Sequence, residues 1–439
     1  VIWILYNVLF LIGYMLLLPR FMVRMARRGG YRKDFMQRFG VFSEADIARL
    51  RAKPRIWIHA VSVGEMLIAL KFMEEYRAGN PGMAFFLTTT TSTGHGIAAK
   101  RMNSDDVLAY FPVDLPVFMS RELDLVQPRA VILIESELWP NLIRLAKWRG
   151  IPAILVNGRI SARSVKGYRI VRVFFEKAIN MMSLLCVQTP EDAQRLIELG
   201  ASESSIKVMG TAKYDVADIN NAAASGTERL LKKAGVGPGS LLLVGGSTWP
   251  GEETILLGIF KRLRESIPGL RLVLVPRHAE RAAKVTAEIR NNGLSEVRWS
   301  ALAGDGSNPA GDVILVDTTG ELMGLYSCAT VVFVGKSLTE HGGQNVIEPA
   351  LFGKPIIVGP NMENFEGVMR DFKDSVAIVQ VRDAVELEHT IESFLLDGDR
   401  RRAIGQRARS VVKGQRGVVS ATAGLVRDLL SIRQDNRPV

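Results

Sequence analysis

Acids, isolated cations and glycines recur in this chain directly after runs of β-forming residues, and the richest such stretch is ATVVFVGKSLTEHGGQNVIEPALFGKPIIVGP, residues 329–360. Its pattern predicts a buried strand over 331–334, a glycine-rich loop, a helix opening near Gln344–Asn345 and a second strand over 355–358. Gly342 and Gly343 lack a Cβ, so the backbone there can approach a ligand closely. A helix start beyond them presents unpaired N–H groups and a positive dipole end, which suits a phosphate. Glu348, one turn further on, can accept hydrogen bonds from two ribose hydroxyls. Together these features describe a nucleotide-sugar pocket at the carboxyl end of a parallel sheet. A tight turn followed by a capped helix would use the same residue types without any ligand.

Three further segments of the second half fit the ligand reading. GGSTWPGEE (245–253) follows a strand with two glycines and Ser247, then opens a helix with an acidic first turn. VPRH (275–278) ends a strand with Arg277, whose planar guanidinium suits a phosphate, although an ordinary surface arginine reads the same way. His278 reads as a cap or packing residue. DTTGEL (317–322) adds a helix start, with Gly320 permitting close backbone approach and Glu321 in the first turn.

In the first half, WIHAVSVGEM (57–66) runs from a strand into a small-residue loop, with Glu65 near a helix start. A glutamate there is stabilised by the helix dipole, which is a structural role. If the loop faces a ligand cleft, Glu65 can also take a proton from an attacking hydroxyl. Ser62 lacks the G-x-S-x-G elbow of a nucleophilic serine, although His59 is near in sequence. ILIESELWPN (132–141) ends a strand with Glu135 and Glu137; helix-start stabilisation explains Glu137 better than Glu135. GTAKYD (210–215) places Lys213 at the end of a strand, either solvated or facing an anionic substrate. The only Asp-x-Asp, Asp397–Gly398–Asp399, reads as a turn between helices, and His59, His95, His278, His341 and His389 have no ligand spacing, so no metal and no cofactor are expected.

The elements that must position these residues alternate strand and helix, the sign of parallel sheets covered on both faces. Strands are predicted over 56–61, 84–89, 107–111, 130–135, 153–157, 184–188 and 207–210, and again over 240–246, 270–276, 313–317, 329–335, 355–359 and 377–381. A polar, alanine-rich passage separates the two sets, and 291–311 reads as an exposed loop. The expected organisation is a membrane anchor with a basic collar (1–24), a Rossmann-like acceptor domain (25–214), a linker (215–225), a second Rossmann-like nucleotide domain (226–415) and a last helix (416–439) packing back on the first domain. Two such halves facing a cleft make the α/β GT-B arrangement.

At 439 residues the chain is long enough for two cores. Its 56 Lys and Arg outnumber 45 Asp and Glu, a formal charge of +11, which points to a polyanionic partner. Much of the excess follows an uncharged run, VIWILYNVLFLIGYMLLL, as Arg20, Arg24, Arg27, Arg28, Arg32, Lys33 and Arg38, against a single acid, Asp34. The run is long enough to cross a bilayer and apolar on all sides, and the basic residues follow it where a signal peptide would carry them ahead. The positive-inside rule puts the remainder on the cytoplasmic side, with the collar against an anionic membrane surface. No motif that reads RNA or DNA is present, so nucleic acid is not an expected partner. Cys186 and Cys328 have no CxxC or Cys/His spacing and read as buried thiols in a reducing compartment.

YRKDFMQRFG, HAVSVGE, ESELWPNLI, NGRISARS, QTPEDAQRLIELGA, VPRH, DTTGELMGLY, GGQNVIEP and FGKPIIVGP, in this order, resemble the Kdo transferases, which attach 3-deoxy-D-manno-oct-2-ulosonic acid (Kdo) to lipid A in Gram-negative bacteria. The resemblance runs from the anchor to the last helix. It implies a GT-B enzyme of the bacterial inner membrane, with CMP-Kdo as donor and a lipid A precursor (lipid IVA) as acceptor. It further implies Glu65 as proton acceptor and Glu135 and Lys213 as transition-state stabilisers. Pro276 and Arg277, Thr319 to Glu321 (with Gly320), and Asn345 to Glu348 (with Val346 and Ile347) then match CMP-binding segments. Lys336 and Gln344 stand where relatives often carry glycine and histidine. Ser247, Gly342 and Gly343 are further candidate donor contacts, and Arg159 and Arg163, with Lys166, are candidate contacts for lipid A phosphates. The competing readings are another membrane-associated GT-B enzyme, such as a lipid-linked hexosamine transferase or a nucleotide-sugar epimerase, and a non-catalytic nucleotide-binding scaffold.

Overall fold

The protein was analysed as a computed structural model that describes residues 2–28, 34–217, 221–237, 239–302 and 311–435, without side chains at 20–28, 162–163, 221–225 and 433–435. Two compact units are present: Val1–Val216 with Gly417–Val439, and Ala217–Arg416. The boundary between the units falls within residues 215–225, expected as a linker, and that stretch holds the end of the short helix Lys213–Val216 and the start of the helix Asn221–Lys233. Alanine is the best helix former, and the run Ala222–Ala224 lies in that second helix.

The first unit carries seven strands: β1 Arg55–His59, β2 Ala84–Thr89, β3 Val107–Tyr110, β4 Ala130–Ile134, β5 Ala153–Gly158, β6 Leu184–Val187 and β7 Ile206–Val208, in the order β3-β2-β1-β4-β5-β6-β7. The second carries β8 Leu241–Thr248, β9 Leu270–Pro276, β10 Glu296–Arg298, β11 Val313–Leu315, β12 Val331–Val334, β13 Ile356–Val358 and β14 Val379–Gln380, in the order β10-β11-β9-β8-β12-β13-β14. Every pairing is parallel. Such sheets are buried on both faces, which explains why β1, β2, β4, β5, β6 and β12 are buried along their whole length. Strand order reverses between β1 and β4 in the first sheet and between β8 and β12 in the second, and open α/β sheets bind ligands at such switch points. The strand β10 was missed in the sequence: only Val297 of its three residues is buried, too short a run to show alternation.

The last helix, Val418–Asp435, belongs to the first unit and packs on Val63–Ala78. Its Arg427 donates to the Glu75 carbonyl at 3.0 Å, and Gly79 leaves space for that guanidinium. At its start the Asp215 carboxylate accepts from Gly417 N–H at 2.6 Å and Val419 N–H at 2.7 Å. The thiol of Cys186 is buried and pushed up to about 12 by desolvation, whereas Cys328 is only half-buried, contrary to the sequence expectation.

The N-terminal helix Ile2–Arg28 is not alike on all sides. Leu5, Leu9, Ile12 and Leu16 are exposed, and residues Ile2–Pro19 are long and apolar enough to cross a membrane. The opposite stripe docks on the first unit. Phe174 meets Trp3 edge-on at 5.1 Å and stacks on Tyr6 at 5.0 Å. Tyr6 O–H donates to the Asp114 carboxylate at 2.8 Å, and Asn141 Nδ2 donates to Asn7 Oδ1 at 2.7 Å. Asp114 also accepts the N–H groups of Asn141 (3.1 Å) and Leu142 (3.0 Å), so it caps the helix Pro140–Trp148. Burial raises this carboxyl to about 6. At pH 8 in detergent micelles, Tyr6→Phe should lower unfolding stability by about 1.5–3 kcal/mol, the range for a hydrogen bond to a charged group. Leu5→Ala on the outer face should change it by less than about 0.5 kcal/mol. Equal effects in urea unfolding would mean the helix is not docked.

Candidate functional site

Glu65 lies in the first turn of the helix Val63–Ala78, after β1. Ser62 caps that helix by accepting Glu65 N–H at 3.2 Å, and Val61 N–H donates to Glu65 Oε2 at 2.8 Å. This reciprocal capping fixes a carboxylate that is only 7% exposed. Glu135 follows β4, the strand adjacent to β1 across the switch point. Its backbone is left-handed (φ 61°), and so is that of Asn157 at the end of β5 (φ 58°). Non-glycine residues in this region are strained and cluster at functional sites.

Asn157 joins two of the predicted residues. Its Nδ2 donates to Glu135 Oε1 at 3.2 Å, and its Oδ1 accepts the N–H of Ala212 at 2.9 Å, directly before Lys213. Gln188 Nε2 holds the Asn157 carbonyl at 3.0 Å. Lys213 opens a short helix and does not end a strand. Glu135 is raised by burial, while the Lys213 ammonium and the Arg159 guanidinium pull it back. Lys213 is lowered by burial, with Glu135 opposing. Glu65, Glu135, Lys213 and Arg159 therefore form one charge cluster. Arg163 lies outside the described side chains, and Lys166 is exposed.

The sequence assigned Glu137 to a helix start, but the helix Pro140–Trp148 begins three residues later and takes its cap from Asp114. Glu137 instead faces the cluster. Burial raises its carboxyl to about 7, with Glu65 and Glu135 adding to the rise and the Trp139 indole opposing it. His59 is a packed residue: its ring stacks on Phe111 at 3.8 Å, and burial lowers it to about 3.

In the second unit, the four motifs follow β8, β9, β11 and β12, which are neighbours in the sheet as β11-β9-β8-β12. Ser247 and Lys336 are left-handed at φ 54° and φ 55°. Glu252 fastens the loop after β12 to the loop after β8, accepting N–H groups from Lys336 (2.8 Å), Ser337 (3.0 Å), Leu338 (3.0 Å) and Trp249 (2.9 Å). Arg277 follows Pro276, the last residue of β9, and its N–H donates to the Thr248 carbonyl at 3.0 Å. Its side chain is exposed. Glu348 accepts from Asn345 Nδ2 at 3.0 Å; burial raises it, and Asn345 and Arg277 counteract. Glu348 in turn raises the buried Tyr326 phenol, whose hydroxyl fills the place a Gly246 side chain would take. Arg277, Glu348, Tyr326 and the end of β8 are thus neighbours. Thr319 and Gly320 are exposed, nothing stands within 4 Å of a Cβ on Gly320, and Glu321, directly before the helix Leu322–Cys328, accepts from the Thr318 hydroxyl at 3.3 Å rather than capping the helix.

Two expectations for the β12 loop are corrected. Gly342 and Gly343 adopt φ 110° and φ 68°, but the space a Cβ would need is filled by Asn364 and Met362, so chain packing uses their missing side chains. The helix expected at Gln344–Asn345 is Ile347–Leu351, five residues long, and its first N–H is taken by Asn345 Oδ1 at 3.0 Å. So short a helix has little dipole to offer a phosphate, and the cations of this region are the Arg277 guanidinium and the Lys336 ammonium, which lies over the Trp249 ring at 4.7 Å. Val346 and Ile347 are buried and contribute backbone only. Asp397 caps the helix Gly398–Gly414 through Arg400 N–H at 2.9 Å.

Two family models match the chain: 3-Deoxy-D-manno-octulosonic-acid transferase (kdotransferase) over residues 33–216, and Glycosyl transferases group 1 over residues 309–411. A 3-deoxy-D-manno-octulosonic acid transferase of Haemophilus influenzae is 31% identical over 411 residues, 91% of this chain and 92% of the relative. That of Bordetella pertussis is 32% identical over 427 residues, 93% and 95% of the two chains. Among solved structures, Anabaena HepE in complex with UDP overlays with a TM-score of 0.60 at 14% identity, covering 86% of this chain and all (100%) of that one. At that identity the likeness concerns the fold, which is the GT-B fold.

Glu137 gives a pH test of the cluster. Its folded pKa is raised above the unfolded value, so its contribution to stability is present below about 4.5 and is lost as pH rises through about 7. Glu137→Gln, permanently neutral, should match the parent at pH 4 and exceed it by about 2–3 kcal/mol at pH 8. Urea unfolding across that range checks it; a pH-independent difference would remove Glu137 from the cluster.

Proposed function

This chain belongs to the family of 3-deoxy-D-manno-octulosonic acid transferases, and from that premise we propose that it moves Kdo from CMP-Kdo to a hydroxyl of a lipid A precursor, lipid IVA, in lipopolysaccharide biosynthesis. The observation that carries this reading is the cluster at the switch point of the first sheet, where a capped Glu65 faces Glu135, Lys213 and Arg159. Kdo is itself an acid, and a carboxylate sugar needs cations to receive it; Lys213 and Arg159 are of the right charge.

The acceptor oxygen attacks the anomeric carbon of Kdo while the bond from that carbon to the CMP phosphate breaks and its electron pair leaves with the phosphate. Glu65 takes the proton of the attacking hydroxyl. Its carboxylate retains a free oxygen lone-pair face because Val61 N–H occupies only Oε2. Positive charge develops on the Kdo ring in the transition state, and Glu135 stabilises it while Lys213 and Arg159 hold the Kdo carboxylate. In the second unit Arg277 receives the departing phosphate, Glu348 accepts from the ribose hydroxyls, and the exposed Thr319–Gly320 turn with Glu321 borders the nucleotide. The N-terminal helix holds the enzyme at the inner membrane with its body on the cytoplasmic face, where the basic residues after the apolar run meet anionic head groups.

Incubating the purified chain with the acceptor lipid and CMP-Kdo, then weighing the products, tests the reaction; unmodified lipid would overturn it. Glu65→Gln keeps the hydrogen-bonding shape but cannot take a proton. It should lose transfer by about 10²–10⁴-fold while CMP affinity and unfolding change little. Substantial turnover by that variant would move the base role to Glu137 or Glu135. Separately, Arg277→Ala and Glu348→Ala should each weaken CMP binding by about 1.5–3 kcal/mol in calorimetric titration. Unchanged affinity in both variants would displace the donor site from the β9 and β12 ends.

A further inference from the structure

We propose that the docked N-terminal helix forms one wall of a binding site for an acyl chain of the acceptor glycolipid, so that it is part of the acceptor site as well as the tether. The inference rests on the acceptor reading given above and adds where its lipid tail goes. Beyond the Tyr6–Asp114 contact, the helix and the body separate and leave a cavity of about 390 Å³. That is within the range of about 300–1,000 Å³ typical of small-molecule sites. Phe10, Gly13 and Leu17 line it from the helix, and Phe111, Val113 and Trp139 from the body.

Three observations select an acyl chain with an anionic head. The lining is almost wholly apolar, and the opposite face of the same helix, Leu5, Leu9, Ile12 and Leu16, is exposed as a bilayer requires. The cavity adjoins the loops that carry the reacting groups. Trp139 borders it and also lies against Glu137, whose carboxyl feels Glu65. Thr90, also in the lining, precedes Thr91, whose hydroxyl donates to the Val61 carbonyl at 2.9 Å in the loop that holds Glu65. Arg38 supplies the positive charge: its guanidinium, largely buried, is fixed by the Thr90 carbonyl at 3.0 Å and the Tyr110 ring at 4.5 Å and borders the cavity where a phosphorylated head group would lie, while the Asp114 carboxylate, also in the lining, is occupied by the Tyr6 hydroxyl at 2.8 Å.

Gly13 makes the cavity. A glycine inside a helix is costly unless something needs its space. At Gly13 no protein atom does, since nothing stands within 4 Å of the place a Cβ would take. A larger residue there therefore fills the cavity without displacing the chain.

The full-length protein in detergent micelles is assayed with a tetra-acylated bisphosphorylated glucosamine disaccharide and with the same disaccharide after O-deacylation. Gly13→Leu should raise KM for the acylated acceptor about 10-fold, since each methylene denied burial costs roughly fourfold. It should leave kcat, and KM for the deacylated acceptor, within about twofold. Ile12→Phe, on the outer face, should change neither. An unaltered KM in Gly13→Leu, or an equal loss with both acceptors, overturns the proposal. A second readout does not depend on transfer: the acylated disaccharide carrying a photoactivatable diazirine in its chain should label the segment 10–17 in the parent and not in Gly13→Leu. If that labelling is found without any transfer by the parent, the reaction reading falls and the acyl site stands. If a diazirine phosphatidylethanolamine labels the same segment and the acylated disaccharide does not displace it, the site belongs to bulk lipid and the proposal is overturned.

Discussion

All strands in each sheet run in one direction, and the rest of the chemistry follows from that constraint. A parallel pair cannot be closed by a tight turn; the chain must cross over through a helix before the next strand. Each strand therefore releases a loop at the same edge, and the loops bearing Glu65, Glu135, Ser247, Arg277 and Lys336 gather at the carboxyl edges of their own sheets. At the two switch points the crossovers leave in opposite directions and the edge opens. Left-handed backbone at Glu135 and Asn157, and at Ser247 and Lys336, marks those edges. Strain of this kind, about 1–3 kcal/mol per residue, persists only where the surroundings enforce it.

Burial sets the electrostatics of the first unit. Glu135, Glu137 and Lys213 are all pushed toward their neutral forms by desolvation, and the Lys213 and Arg159 charges offset this for Glu135. Burial, with Glu65 and Glu135 beside it, pushes the Glu137 carboxyl up to about 7. Glu135 and Glu137 are thus carboxyls of one cluster whose charged forms burial disfavours. Asn157 holds the geometry, since a single amide positions Glu135 through its nitrogen and the residue before Lys213 through its oxygen. In the second unit Glu252 has a comparable organising role, made by four backbone N–H groups converging on one carboxylate.

The N-terminal helix presents an exposed apolar face on one side and is bonded to the body on the other. Its polar contacts run through Asp114, which also caps Pro140–Trp148, the helix that follows the Glu135–Trp139 loop. Asp114 and Asn141 thus bond both to the N-terminal helix and within the start of Pro140–Trp148.

Whatever depends on local pattern was legible in the chain alone. Alternation of buried strands with helices, the apolar N-terminal run and the glycine and acid punctuation after strands established the fold class and the segments holding Glu65, Glu135, Arg277 and Glu348. Each is readable because it is set by a residue's near neighbours in the chain. Features that depend on distant partners emerged only from the folded arrangement. Asn157 looked like an ordinary strand end, yet it bridges residues 22 and 55 positions away. Glu137 looked like a helix-start acid until Asp114 proved to supply that cap from 27 positions upstream of Asn141. The freedom of Gly342 and Gly343 was visible, but only packing showed that Asn364 and Met362 use it. The helix Ile2–Arg28 read as uniformly apolar because hydropathy records composition, whereas its docking stripe is defined by what Phe174, Asp114 and Asn141 present to it. A side chain's role in a site depends on which groups reach it through space, and one-dimensional spacing carries that information only when those groups belong to the same strand, turn or helix.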